Sequence, residues 1–191
     1  MGLKKGLESQ FSVTVRGHYF RFNTGTGVFS QGRLDPGTRL LAETMNLPER
    51  GPILDLGCGY GPLGIIAAKL YPELEVLLTD NNSNALRLAK ANGKLNYVEN
   101  VEFRLGSIYA PVESKEFNLI VSNPPLSAGF SVVSEIIQIA PDHLNLGGAL
   151  EVVMRKGFNI YRRELENTFG NVGILARGSG YRVFRAVLTK T

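Results

Sequence analysis

Apolar residues along this chain keep two different periods, and the switches between them mark out its elements. FSVTVRGHYFRF (11–22) alternates apolar and polar positions on both sides of Arg16-Gly17-His18, which predicts a small hairpin. Residues 1–10 before it are polar and predict a loosely ordered start, and NTGTGVFSQGRLDPGT (23–38), rich in Gly, Thr and Ser, predicts an ordered loop. A helix is predicted over 38–45, stopped by Pro48 and Pro52. From Gly51 the rhythm becomes regular. PILDLG (52–57), LEVLLTD (74–80), VEFRLGS (101–107) and FNLIVSN (117–123) are short apolar runs of the kind that form buried strands. Helices are predicted over 62–70, 83–92, 131–140 and 160–169, with a further strand over 148–154. The first of these helices opens on Pro62, where a missing N–H costs nothing, and the second is entered through a polar Asn/Ser cluster. The final NVGILARGSGYRVFRAVL (171–188) folds back at Gly178-Ser179-Gly180, a hairpin by its turn chemistry.

Strands alternating with helices imply βαβ units: an α/β fold with a mainly parallel sheet, helices on both faces and right-handed crossovers. The closing hairpin adds antiparallel strands at one edge. A chain of 191 residues, 43% apolar and 20% charged, suits one soluble domain over 1–191, with the hairpin and loop in 1–35 and the α/β core in 36–191. No apolar run approaches the roughly 18 residues that a membrane span needs. The start carries lysines without an apolar stretch behind them, so no secretion signal is expected. Gly6 stands where a myristoylation motif wants Ser or Thr. The single Cys58 excludes an intramolecular disulfide and fits a reducing cytoplasm. It has no nearby histidine, which argues against a nucleophile; His18 and His143 lack metal-ligand spacing and are expected at the surface. The net charge of +4 favours polyanionic partners without proving one.

In such sheets ligands bind beyond the carboxyl ends of the strands. The first core strand ends in Asp55-Leu56-Gly57-Cys58-Gly59-Tyr60-Gly61, whose alternate glycines let the backbone turn tightly and approach a ligand closely. The next strand ends in Asp80, placed to accept from two ribose hydroxyls. Together they predict a nucleoside pocket. A nicotinamide fingerprint would need a glycine where Pro62 stands. Asp55 also suits a positively charged amino-acid end, as in S-adenosylmethionine, better than a pyrophosphate. The competing reading is that the glycines only make a turn and Asp55 caps the helix after it.

Asn123-Pro124-Pro125 leaves the fourth core strand as a stiff segment with surplus carbonyl acceptors, because proline has no N–H and a fixed φ. The Asn123 side-chain carbonyl and the Pro124 backbone carbonyl suit the two hydrogens of an –NH2 group. Holding them aims the nitrogen lone pair at an electrophile such as a sulfonium methyl. The competing reading is a rigid turn.

With those segments in place, the chain resembles the class I S-adenosylmethionine-dependent methyltransferases of the "small domain" group. The likeness is strongest to the catalytic domain of small-subunit ribosomal RNA guanine-N2 methyltransferases and their stand-alone archaeal homologues. It is carried by GVFSQGRLDPGTRLL, ILDLGCGYGPLGIIAAK, LLTDNNSNALRLAKAN, FNLIVSNPP and the closing GNV and GYRV, over about 27–183. The resemblance implies a Rossmann-like seven-stranded sheet with an antiparallel C-terminal hairpin. It implies cofactor contacts from Asp55, Gly57, Cys58, Gly59, Gly61, Asp80, Asn81, Ser107, Ile108 and Asn123. Asn123, Pro124 and Pro125 would take the target amine, residues 27–30 would close over the site with Phe29 as a wall, and Leu126 would meet the substrate.

Two positions depart from the family pattern. Leu126 replaces a common Tyr or Phe, so Phe29, Tyr19 or Phe130 is expected to supply a stacking ring, or the substrate is gripped elsewhere. Ser107 replaces an acid that often faces adenine. The expected substrate is RNA, ribosomal RNA or tRNA, methylated at guanine N2, with a flipped or single-stranded base. Candidate phosphate contacts are Arg16, Arg21, Arg33, Arg155, Lys156, Arg162 and Arg163, with rings at Tyr19, Phe20 and Phe22; the competing reading is a balanced surface and a hairpin core. Protein glutamine, nucleic-acid adenine and a non-catalytic partner subunit remain the alternatives.

Overall fold

The computed structural model describes residues 9–25, 32–112, 116–124 and 129–189. An N-terminal hairpin, β1 (Ser9–Val15) and β2 (His18–Thr24), precedes helix α1 (Pro36–Thr44). The core then alternates: β3 (Ile53–Leu56), α2 (Pro62–Leu70), β4 (Val76–Asp80), α3 (Ser83–Leu95), β5 (Val101–Leu105), β6 (Phe117–Ser122) and α4 (Gly129–Ile139). A 3-10 turn over Ala140–His143 leads to β7 (Leu144–Met154), then α5 (Phe158–Phe169), β8 (Gly173–Gly178) and β9 (Tyr181–Val187).

The seven core strands lie in the order β5-β4-β3-β6-β7-β9-β8, parallel from β5 to β7 and antiparallel through β9 and β8. Strand succession reverses between β3 and β6, which puts the topological switch point, and with it the ligand crevice, at Gly57 and Asn123. Strand alternation sends Ile53, Leu78, Leu119 and Val121 to the core face covered by α1, α2 and α3, and Leu54, Leu77, Ile120 and Leu150 to the face covered by α4 and α5. Ser122 Oγ donates to the Leu56 carbonyl at 2.8 Å and ties the carboxyl ends of the two switch-point strands together.

Two turns follow their sequence chemistry closely. Arg16 (φ 49°) with Gly17 (φ 78°), and Ser179 (φ 50°) with Gly180 (φ 77°), put two consecutive residues in the left-handed region, as two-residue hairpins require. Elsewhere the structure differs from expectation. Ser9 and Gln10 belong to β1 rather than to a loose start, because Ser9 and Gln10 side chains bond those of Thr24 and Asn23 across the pair. Strand β7 begins at Leu144, ahead of the Gly147-Gly148 pair: the β6–β7 register slips between Phe117 and Leu119, and the glycines absorb the bulge. The expected surface role of His143 is also corrected, since its ring is half-buried and stacks on Tyr109 at 4.6 Å.

Among the described residues no helix is long and apolar enough to cross a membrane.

Candidate functional site

Two adjoining cavities open at the carboxyl ends of the parallel strands. The first, about 410 Å³, is lined by the glycine turn after β3, by Asp80, Asn81 and Asn82 after β4, by Gly106, Ser107 and Ile108 after β5, and by Asn123 and Pro124 after β6. Asp35 and Thr38 at the start of α1 close one side, and Val132 and Ile136 of α4 the other.

The turn is tied down from beneath. The N–H groups of Gly57 and Cys58 both donate to the Thr79 carbonyl at 2.9 Å, and the Gly59 N–H donates to Asp80 Oδ2 at 2.7 Å. Gly57 (φ 72°) and Gly59 (φ 59°) line the cavity, and a Cβ added to either would meet no protein atom within 4 Å. That is a cradle left open where side chains would intrude. Gly61 (φ 91°), which sequence grouped with them, does not line the cavity. A Cβ there would lie 2.9 Å from Ile65 and 3.1 Å from Ala89, so this glycine seats α2 against α3.

Both acids do two things. Asp80 accepts from the Gly59 and Asn82 backbones, one bond to each oxygen, and each oxygen keeps a lone pair for a ligand hydroxyl. Asp55 is 1% exposed and its Oδ2 accepts from the Gly64 N–H at 2.7 Å, which is the helix-capping role, yet the residue also lines the cavity. Burial pushes its pKa up to about 7, against the opposing bond from Gly64 and with a contribution from Asp80. A carboxyl so strained in its ionised form favours a cationic ligand group. Burial, then Asp55 and Asp80, hold the Cys58 thiol well above its ordinary pKa, so it stays protonated.

The second cavity, about 350 Å³, lies against Gly129, Phe130 and Val133 of α4, Val153 to Lys156 at the end of β7, Ile160 and Tyr161 of α5, and Tyr181. Asn123 and Pro124 line this cavity as well as the first. Phe130 and Tyr161 stack at 5.7 Å with their planes 19° apart, and the Arg155 guanidinium sits 5.7 Å over the Tyr181 ring. Arg155 and Lys156 line this cavity and are exposed, and Arg162 and Arg163 are exposed on α5.

Of the expected site residues, Asp55, Gly57, Cys58, Gly59, Asp80, Asn81, Ser107, Ile108, Asn123 and Pro124 converge on the first cavity. Pro125, Leu126 and Phe29 fall outside the described residues. The rings of the N-terminal hairpin are not brought to it: Phe20 and Phe22 are fully buried in the core, and Tyr19 is exposed, its hydroxyl donating to Ser12. Arg16 donates to the Met45 carbonyl. Asp35, Thr38, Tyr60 and Tyr161 also line the two cavities, without a role expected from the sequence. Tyr60 sat inside the glycine motif; its hydroxyl is buried with no hydrogen-bond partner among the described residues, and burial with nearby Asp35 pushes its pKa up. Among the described residues no cluster of His, Cys, Asp and Glu is placed to hold a metal ion.

Comparison with known proteins accords with this geometry. The family model described as "Methyltransferase small domain" matches residues 19–185. The chain is 33% identical to the uncharacterized protein YbxB of Bacillus subtilis, over 95% of this chain and 92% of that protein. It is 38% identical to ribosomal RNA small subunit methyltransferase C of Photorhabdus laumondii, over 86% of this chain but 49% of that protein. Among solved structures, the Thermus thermophilus 16S rRNA N2 G1207 methyltransferase, in complex with AdoMet and guanosine, superposes with a TM-score of 0.85 at 28% identity, over 97% of this chain and 52% of that one. The chain thus spans about half the length of the ribosomal RNA methyltransferases it matches. It belongs to the methyltransferase small domain family, and the reaction class that comes with that membership is S-adenosylmethionine-dependent methyl transfer.

Proposed function

We propose that this chain methylates an exocyclic amino group of RNA, guanine N2 of small-subunit ribosomal RNA, at the Asn123-Pro124 wall. The observation that carries the reading is that these two residues line both cavities at once. One cavity is built of a glycine cradle with Asp55, Asp80 and Asp35 around it, the other of stacked rings and basic side chains. When bound, the cofactor supplies an electrophilic methyl on a sulfonium, and the chain contributes by positioning and electrostatics. Asp55 would hold the cationic amino-acid end and Asp80 the ribose hydroxyls, with Asn81, Ser107 and Ile108 around the adenine.

On the acceptor side, the lone pair of an exocyclic amine is delocalised into its ring. Asn123 Oδ1 and the Pro124 carbonyl would each accept one hydrogen, favouring a pyramidal nitrogen whose lone pair is localised and aimed at the methyl. No strong base is needed, because the proton becomes acidic only as the methyl arrives. The Phe130–Tyr161 stack offers the planar wall that Leu126 lacks, and Arg155 and Lys156 suit flanking phosphates. The named activity of the ribosomal RNA relatives, and the guanosine held by the Thermus protein, support guanine as the target.

The test is labelled S-adenosylmethionine with ribosomal subunits and tRNA from a strain lacking this gene, followed by nucleoside analysis. Labelled N2-methylguanosine from the small subunit is the expected product. A labelled protein band with unlabelled RNA would replace this reading with glutamine methylation.

A further inference from the structure

Leu34-Asp35-Pro36-Gly37-Thr38 lies far from Asn123 in sequence, and the reaction as described uses none of it. In the fold it forms the N-terminus of α1. Asp35 is the N-cap, accepting from the Thr38 N–H at 2.9 Å, and Pro36 takes the first helical position. The same side chains reach the acceptor residue: Asn123 Nδ2 donates to Thr38 Oγ1 at 2.7 Å and to Asp35 Oδ2 at 3.1 Å. Asp35 and Thr38 are each 5% exposed. The Tyr181 hydroxyl donates to the other Asp35 oxygen at 3.3 Å, and a Cβ at Gly37 would lie 2.6 Å from the Tyr181 ring, so the glycine is what lets that ring close over the cap.

We infer that Asp35 and Thr38 are positioning residues that lock the Asn123 carboxamide with its oxygen turned away from α1 toward the acceptor amine; the inference rests on the acceptor role proposed for Asn123. The chemistry dictates the orientation. A carboxylate only accepts, so the group of Asn123 facing Asp35 must be the –NH2, and both its hydrogens are spent on α1. An amide left free would flip and present donors to a donor. The buried charge of Asp35 acts through the same bond. It polarises the amide, making Oδ1 a better acceptor as positive charge develops on the acceptor nitrogen. Neither Asp35 nor Thr38 needs to touch the substrate.

Thr38→Val removes the hydroxyl but leaves the Thr38 backbone N–H on the Asp35 cap. It is expected to lower kcat about tenfold with KM for RNA unchanged, while the unfolding temperature falls by only a few degrees, the cost of one Asn123 hydrogen left without its partner. Asp35→Asn keeps an acceptor for the cap and is expected to lower kcat about a hundredfold, while Thr38→Ser recovers most of the wild-type kcat. A readout without substrate is the side-chain amide resonance pair of Asn123, assigned by its disappearance in Asn123→Ala. Its hydrogens should be protected from exchange in the wild type and lose that protection in Thr38→Val. Wild-type kcat in Thr38→Val beside an inactive Asn123→Ala, or an amide pair equally protected in both proteins, overturns the lock. Asn123→Ala at the wild-type rate overturns instead the acceptor role on which the lock stands.

Discussion

Replacing Asp55 with asparagine should make the protein more stable and less able to bind cofactor. Asp55 is buried, and its pKa rises from the ordinary 3.8 to about 7. A carboxyl raised in the folded state contributes stability that is fully present below its unfolded pKa and lost as pH climbs through its folded one. At about 1.4 kcal/mol per pH unit, the displacement corresponds to about 4 kcal/mol lost by pH 8, of which about 3 kcal/mol disappears between pH 5 and pH 8. Asparagine removes the titration while its carbonyl still accepts the Gly64 N–H. The unfolding temperature of the ligand-free variant should therefore exceed that of the wild type by a margin that grows roughly 6–12 °C between those pH values. Titration with S-adenosylhomocysteine supplies the other half. Wild-type affinity should strengthen by up to about tenfold for each pH unit climbed toward pH 7, as Asp55 ionises, and the variant should bind weakly with no such slope. Parallel unfolding temperatures for the two proteins from pH 5 to pH 8 would show that Asp55 is not held protonated by burial.

Three further outcomes follow from the same geometry. Tyr161→Leu breaks the stack with Phe130 and should raise KM for RNA about tenfold while S-adenosylhomocysteine affinity stays put, measured by steady-state kinetics and calorimetry. Gly37→Ala drives a methyl into the Tyr181 ring and should cost about 1–3 kcal/mol in urea unfolding, a loss that Tyr181→Ala should largely cancel in the double variant. Asp80→Ala removes both the ribose acceptor and the brace on Gly59, so it should weaken S-adenosylhomocysteine binding about tenfold or more, read by calorimetry.

The parallel core was readable because buried strands in such a sheet are unbroken apolar runs, and their carboxyl ends are where a glycine turn and an acid carry meaning. Asp55, Gly57, Gly59 and Asp80 lie within two consecutive strand ends, so local spacing was enough to group them. Gly61 shares the spacing but does not line the cavity, and close packing against Ile65 and Ala89 accounts for a glycine there. Strand β7 starts ahead of the run expected from 148, because Gly147-Gly148 sit at a bulge inside the strand. What sequence could not show was pairing across distance. Asn123 meets Thr38 and Asp35 over separations of 85 and 88 residues, and Phe130 meets Tyr161 only because α4 and α5 pack side by side. The competing readings of Asp55, helix cap or ligand carboxylate, turned out not to exclude each other, since one oxygen caps while the residue still faces the cavity.

If Asn123 holds the acceptor amine at the wall shared by the two cavities, methyl transfer depends on it, and single-turnover transfer by Asn123→Ala measures that dependence. With saturating labelled cofactor and small ribosomal subunits, the rate should fall by about a hundredfold or more, while S-adenosylhomocysteine binds as tightly as to the wild type. Transfer at the wild-type rate would leave Asn123 with no part in the reaction.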